Sequence, residues 1–309
     1  MLSGLNPRQR EAAECITGPV LVVAGAGSGK TRALTHRIAF MIDCGILPWQ
    51  ILAVTFTNKA ANEMKERVRA MLTREADEPL IGTFHAIGVR ILRAEAEALG
   101  RARSFTILDA DDALALVKKL MKAKSIDDKK FHPKAVMGRI SLAKNAFLTP
   151  EEFPAHAEGP LDTIVADIYR AYEAEKLQAN CVDFDDLIVL PVVLFEQHPQ
   201  ILEKYRRRWQ YISVDEFQDT NAVQFRFLQL LAADHRNLCA IGDSDQSIYS
   251  FRGADITNLL DFQKHFDDAR IIKLEQNYRS TQNILDAADG VIANNQSRVP
   301  KKMWTDAGP

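Results

Sequence analysis

The chain has 309 residues, 47% of them hydrophobic and 26% charged, with a formal net charge of −2; this globular composition has room for two domains and neither demands nor excludes a nucleic-acid partner. Its four cysteines, Cys15, Cys44, Cys181 and Cys239, form no Cys-x-x-Cys pair, which argues against zinc or iron–sulfur chemistry and suits a reducing compartment. No apolar run follows a basic stretch at the N-terminus MLSGLNPRQREAAE, and none approaches the ~20 residues of a membrane span, so no signal peptide and no membrane partner are expected and the location reads as cytoplasmic.

Pro19–Ala24 (PVLVVA) is a short continuous apolar run, as expected for a strand buried on both faces of a parallel sheet. Helical spacing follows over Lys30–Asp43, through Leu34, Ile38, Met41 and Ile42. Ile51–Phe56 reads as a strand, Asn58–Leu72 as a helix, Leu80–Gly82 as a short strand and Phe84–Leu99 as a helix. That alternation predicts a doubly wound α/β domain. From about Ala110 to Asn180 the pattern becomes helical, over Ala113–Ala123, Lys134–Lys144 and Leu161–Leu177, with a loop marked by Pro150, Pro154, Gly159 and Pro160. This stretch is rich in lysine and reads as a mostly α-helical insertion. Strand patterns return at Tyr211–Asp215, Leu238–Gly242 and Arg270–Leu274. A helix over Thr281–Asn295 comes next, and the last ten residues read as a linker.

Ala24–Thr31 (AGAGSGKT) sits between a buried strand and a helix. Glycines there let backbone N–H groups wrap phosphates, and the helix N-terminus adds positive potential. The segment is a Walker A loop with Ala at its first position in place of Gly. Ala26, Gly27, Ser28 and Gly29 would form the cradle, Lys30 would reach the β and γ phosphates, and Thr31 would place its hydroxyl on Mg²⁺. Ile212–Asn221 (ISVDEFQDTN) is a hydrophobic strand ending in paired acids, the form of a Walker B segment. Asp215 would hold Mg²⁺ and Glu216 would polarise an attacking water. Together the two segments predict ATP and Mg²⁺ as ligands. A glycine-rich turn that binds nothing is the competing reading, and the intact GKT in strand–loop–helix context weighs against it.

VDEFQDTN, GDSDQSIYSFRGA at Gly242–Ala254 and QNYRST at Gln276–Thr281 resemble superfamily 1 helicases of the UvrD/PcrA/Rep type. LNPRQREA at Leu5–Ala12 is similar to that family's adenine-reading motif. TFTNKAANEMKERV at Thr55–Val68 and GTFHAIGVRIL at Gly82–Leu92 resemble its first DNA-contacting motifs, and VDFDDLI at Val182–Ile188 matches another. The resemblance covers nearly the whole chain in the family's order. It implies a RecA-like P-loop NTPase sheet flanked by helices, over residues 1–108 and 182–280, interrupted by a helical accessory domain over 109–181.

The resemblance also implies roles. Gln9 would hydrogen-bond the adenine edge, Tyr278 would stack on its ring, and Arg32 would help hold the nucleotide. Arg279 would act as an arginine finger on the γ-phosphate, and Gln246 would sense that phosphate; with Lys30 and Glu216 they make up the implied catalytic set. Phe56, Tyr249 and Phe251 would offer faces to unstacked bases, while Thr55, Asn58, Thr83, His85 and Arg252 would contact phosphate and sugar. A phenylalanine after a strand is otherwise most simply a core residue, and the family commonly has Trp at the Phe251 position. The implied activity is ATP-dependent movement 3′ to 5′ on single-stranded DNA, with single/double-strand junctions and repair or replication proteins as partners.

In that family residues 281–309 would begin the connection to a second RecA-like domain, whose motifs this sequence does not carry. The chain therefore reads as an N-terminal fragment or a truncated relative that binds nucleotide, hydrolyses it slowly and does not unwind alone. Three other readings remain: a stand-alone ATP-binding switch without translocation, the helicase half of a helicase–nuclease, and a metabolic P-loop kinase. The short insertion opposes the second. The third has no use for DEFQDTN or GDSDQSIY.

Overall fold

A computed structural model describes residues 2–72 and 78–308, with the backbone alone at Arg252. The elements run α1 (Pro7–Glu14), β1 (Val20–Ala24), α2 (Lys30–Asp43), β2 (Ile51–Thr55), α3 (Asn58–Met71), β3 (Leu80–Thr83), α4 (Phe84–Glu95) and β4 (Thr106–Ile107). They continue with α5 (Ala110–Ala123), α6 (Pro133–Asn145), α7 (Pro160–Gln178), β5 (Cys181–Val182), α8 (Asp186–Gln197), α9 (Pro199–Arg208), β6 (Tyr211–Val214) and α10 (Ala222–Ala232). The last are β7 (Leu238–Gly242), α11 (Thr257–Leu260), α12 (Phe262–His265), β8 (Arg270–Leu274) and α13 (Gln282–Ile292).

The chain divides into two compact units: Met1–Thr83 with Leu202–Thr220 and Leu228–Pro309, and Phe84–Ile201 with Asn221–Phe227. The first holds a six-stranded sheet in the order β3-β2-β6-β7-β1-β8. Every pairing in it is parallel, with Val22 opposite Ile241 on one side and Ile272 on the other. The apolar runs VLVVA, ILAVT and LCAIG are buried throughout because helices cover both faces. Leu34, Ile38 and Met41 of α2, with Met64 and Val68 of α3, pack on the strand residues Val20, Val22, Ile51 and Ile241. The architecture is therefore α/β with a parallel sheet flanked by helices.

In the second unit α5, α6 and α7 share a core of Val117, Val136, Ile140, Val165, Ile168 and Tyr172. β4 and β5 form a two-stranded parallel ladder, with Thr106 opposite Cys181. The same unit holds a buried ion cluster: the Lys144 and Lys176 ammonium groups each contact Glu173, Asp183 and Asp186. Burial alone would lower the Lys144 pKa, but the Asp186, Asp183 and Glu173 carboxylates reverse this and hold it well above the usual lysine range. Burial would likewise raise Asp183, yet the two lysines carry it below the usual carboxylate range. The two lysines offset most of the charge of the three carboxylates from within.

The structure departs from the sequence reading in several places. α1 carries no apolar stripe and is started by chemistry instead: Asn6 caps it, the Asn6 Oδ1 accepting from Gln9 N at 2.7 Å and Asn6 N donating to Gln9 Oε1 at 3.1 Å, with Pro7 in the first turn. α8 (DLIVLPVVLFEQ) is apolar nearly all round and contains Pro191, so its sequence shows no helical period. β2 stops at Thr55 and β3 runs through Thr83. The last residues are no free linker: Trp304 N donates to Glu275 O at 3.0 Å, Asn277 N to Trp304 O at 2.7 Å, and Met303 is buried. This segment extends the hydrogen-bonded edge beyond β8.

Candidate functional site

In a parallel sheet the loops that follow the strands gather at one edge, where ligands of doubly wound folds bind. The loop after β1 turns through Gly27 and Gly29, both left-handed at φ 71° and 82°. A Cβ at Gly29 would lie 2.6 Å from Gln9 Nε2, and one at Gly27 would lie 2.7 Å from Asn277 Nδ2. Only glycine gives the loop both its curvature and this close approach. Ser28 is buried, its hydroxyl donating to Gly25 O at 2.7 Å. Ala26 is exposed beside it, and Lys30 and Thr31 open α2 behind the loop.

Gln9 is fully buried and donates from Nε2 to Ser28 O at 2.8 Å, so α1 braces the loop directly. Asn277 braces it from the other side. Its Nδ2 donates to Ala26 O at 2.7 Å, while its Oδ1 accepts from Arg279 N at 2.7 Å and Ser280 N at 2.8 Å. Tyr278 N donates to Gly27 O at 3.0 Å. The Tyr278 ring is exposed, and its hydroxyl is held by Asn6 Nδ2 and Gln276 Oε1. The Arg279 side chain is exposed, and Arg32 donates to Gly4 O at 2.7 Å.

Lys30 Nζ lies 2.7 Å from Glu216 Oε2, which brings the first loop onto the end of β6. Glu216 adopts a left-handed backbone, φ 51° and ψ 43°, a strained conformation for a non-glycine residue. Gln218 is buried and bridges two loops: Nε2 donates to Glu216 Oε2 at 2.9 Å, and Oε1 accepts from Asp243 N at 3.0 Å. Gly242 permits this, since a Cβ there would lie 2.7 Å from Gln218 Oε1. Burial and the neighbouring Glu216 carboxylate push Asp215 up to about 6, against the opposing pull of Lys30. The same influences push Asp219 up to about 6. Lys30 thus touches Glu216 directly and acts on Asp215 and Asp219 only through space.

Gln246, after β7, does not reach the β1 loop; its Nε2 donates to Asp243 Oδ2 at 2.6 Å. Farther along this edge, Thr55 and Thr83 are buried at the ends of β2 and β3. Thr55 Oγ1 donates to Thr57 O at 3.1 Å, Phe56 is half-buried, and Asn58 is exposed in the first turn of α3. Tyr249 and Phe251 stand in the loop after β7 with ring centroids 6.1 Å apart, and Phe251 is 70% exposed. The Arg252 side chain lies outside the described residues. In the second unit, the His85 ring packs on Phe184 with centroids 4.4 Å apart, and burial pushes its pKa down to about 4.

The profile of the UvrD/REP helicase N-terminal domain matches residues 5–267. The chain belongs to the UvrD/REP helicase family. It is 52% identical over 307 residues to the ATP-dependent DNA helicase PcrA of Bacillus subtilis (strain 168), covering 99% of this chain and 42% of that protein. It is 47% identical over 310 residues to the ATP-dependent DNA helicase PcrA of Leuconostoc citreum, covering 100% and 41%. The chain thus spans about 42% of the length of such relatives. Gln218, within the matched domain, and Asn277, beyond it, lie inside the motifs VDEFQDTN and QNYRST, yet their residue types alone assign them no role. Gln218 is marked only once the fold sets it between Glu216 and Gly242, and Asn277 only once it bridges the β1 loop to the backbone of Arg279 and Ser280.

Proposed function

We propose that this chain binds ATP with Mg²⁺ and single-stranded DNA, as part of an ATP-dependent DNA helicase that moves 3′ to 5′ in the cytoplasm. The observation that carries the reading is the Lys30–Glu216 contact of 2.7 Å at the meeting of the β1 loop and the end of β6. It puts a phosphate-binding cation and a candidate general base within one hydrogen bond of each other.

A bound triphosphate presents more negative charge to Lys30 than Glu216 does, so Lys30 transfers to the phosphates and Glu216 is freed to orient a water. Gln218 then keeps the Glu216 carboxylate in place through its 2.9 Å hydrogen bond. Asp215 and Thr31 would hold Mg²⁺, which supplies charge neutralisation between the phosphates. Arg279 follows Asn277, which fixes the backbone of both residues against the β1 loop. Its exposed guanidinium would contact the γ-phosphate as an arginine finger. Tyr249, Phe251 and Phe56 offer stacking faces that tolerate any base, as a translocating protein requires. Among the described residues no helix is long and apolar enough to cross a membrane.

Titrating a fluorescent ATP analogue with Mg²⁺ into the wild-type chain and Lys30→Ala tests the site. A hydrogen bond to a charged group contributes about 1.5–3 kcal/mol, so the variant should bind roughly 10- to 150-fold more weakly. Equal binding by both proteins would refute the assignment of Lys30.

A further inference from the structure

Resting on the nucleotide reading above, we infer that Lys301 is a positioning residue for Gln246, acting through Asp243. The segment from Arg298 to Met303 passes over two of the loops that build the site. Val299 N donates to Ser244 Oγ at 3.1 Å, Lys273 Nζ donates to Pro300 O, and Lys302 N donates to Glu275 Oε1 at 2.9 Å. Met303 Sδ lies against the first glycine of the β1 loop, and a Cβ at Gly25 would also lie 3.3 Å from Lys301 Cε.

At the centre of this strap Lys301 Nζ is 2.6 Å from Asp243 Oδ1 and also contacts Asp245 Oδ2, which Arg298 holds at 2.9 Å. The Lys301 and Asp243 side chains are 4% and 3% exposed. Two cations and two carboxylates thus form a neutral, nearly dry cluster behind Gln246. Asp243 Oδ1 takes Lys301 and Asp245 N, and this leaves Oδ2 for Gln246 Nε2 at 2.6 Å. One N–H of the Gln246 amide is therefore anchored, which would leave the other for the terminal phosphate that the family resemblance assigns to Gln246. Without Lys301, Asp243 is an uncompensated buried carboxylate beside Gln246. It then both repels a terminal phosphate and leaves the amide poorly aimed. The segment that leaves the sheet after α13 thereby sets how the site tells ATP from ADP.

The test measures Kd for fluorescent ATP and ADP analogues, with Mg²⁺, on the full chain. Lys301→Met should lower the ATP preference over ADP roughly tenfold while leaving ADP affinity nearly unchanged, and Lys301→Arg should restore most of it. Combined with Gln246→Ala, Lys301→Met should add nothing further to the loss, because the two act in one chain of contacts. If the Met variant does not fold, Lys301→Gln is read the same way. Equal losses for ATP and ADP, no change in their ratio, or additive effects in the double variant would each overturn the inference. Lys30→Ala distinguishes the two levels: it should weaken both nucleotides whatever Lys301 does. A wild-type chain that binds neither nucleotide overturns the site reading and this inference together.

Discussion

Two regions of the same sheet edge are built in opposite ways. Around the β1 loop the polar side chains are committed: Gln9 to Ser28 O, Asn277 to Ala26 O, Gln218 to both Glu216 and Asp243 N, and Lys30 to Glu216. In the loop after β7, Ile248, Tyr249 and Phe251 instead present large apolar surface to solvent. The difference matches the proposed ligands. Charge developing on a phosphate is stabilised by donors fixed beforehand, which cost no reorganisation during reaction. A base offers a flat face whatever its identity, so a stacking surface needs exposure more than exact aim.

Measured one ligand at a time, variants that touch one region should leave binding at the other unchanged. The largest effect is expected at Glu216. Replacing it with Gln should slow phosphate release by about 10²–10⁴-fold, the usual range for a general base, while the Kd for nucleotide changes little. Loss of nucleotide binding in the same variant would make Glu216 a partner of Lys30 and nothing more. Next in size, Tyr249→Ala with Phe251→Ala should weaken oligo(dT) binding, measured by anisotropy, by ~1–3 kcal/mol per stacked base. Nucleotide affinity should stay at the wild-type value, and a parallel loss would mean that the two regions are not separable. Asn277→Ala sharpens the boundary from the nucleotide side: it removes three bracing hydrogen bonds, and at about 1 kcal/mol for the one to the β1 loop it should weaken nucleotide Kd at least roughly fivefold, with oligo(dT) affinity unchanged.

The smallest effect concerns His85. Burial holds its folded pKa at about 4, below the ordinary 6.5. The unfolded chain therefore takes up the proton first, and the stability contributed by keeping His85 neutral is present above pH 6.5 and lost as pH falls from there toward about 4. His85→Asn should remove that part of the acid sensitivity in urea denaturation at pH 7 and pH 5. An unchanged difference between the two pH values would place the loss elsewhere. At neutral pH His85 is uncharged, so any contact it makes to a nucleic-acid backbone is a hydrogen bond and adds nothing to the salt dependence of binding.

How much of this was legible before folding follows from the physics of each signal. The buried strands announce themselves as unbroken apolar runs, and GSGKT and VDEFQ carry their chemistry in residue type, so the sheet and both halves of the candidate nucleotide site are readable from the letters. α1 and α8 are not: one has no apolar stripe, and the other is apolar nearly all round with a proline inside. Other features depend on distant parts of the chain. Gln218 matters because Gly242 lets it approach β7, the left-handed backbone of Glu216 is a tertiary effect, and Lys301 lies 58 positions from the Asp243 it neutralises. The closing segment read as a linker because its backbone partners, Glu275 and Asn277, are far behind it in sequence. The exposure of Phe251 is likewise a property of the folded loop, since a phenylalanine beside a strand end is as compatible with a core.

The two regions lie on one sheet edge, so a ligand at one should change affinity at the other. Measuring nucleotide Kd with and without saturating oligo(dT), and oligo(dT) Kd with and without saturating nucleotide, tests it directly. Linkage requires both ratios to be equal, and coupling between sites commonly amounts to about 5- to 150-fold. Such a factor, equal in both directions, is expected in the wild-type chain. Tight binding of both ligands with no mutual effect would contradict it, and would leave two independent sites on one sheet.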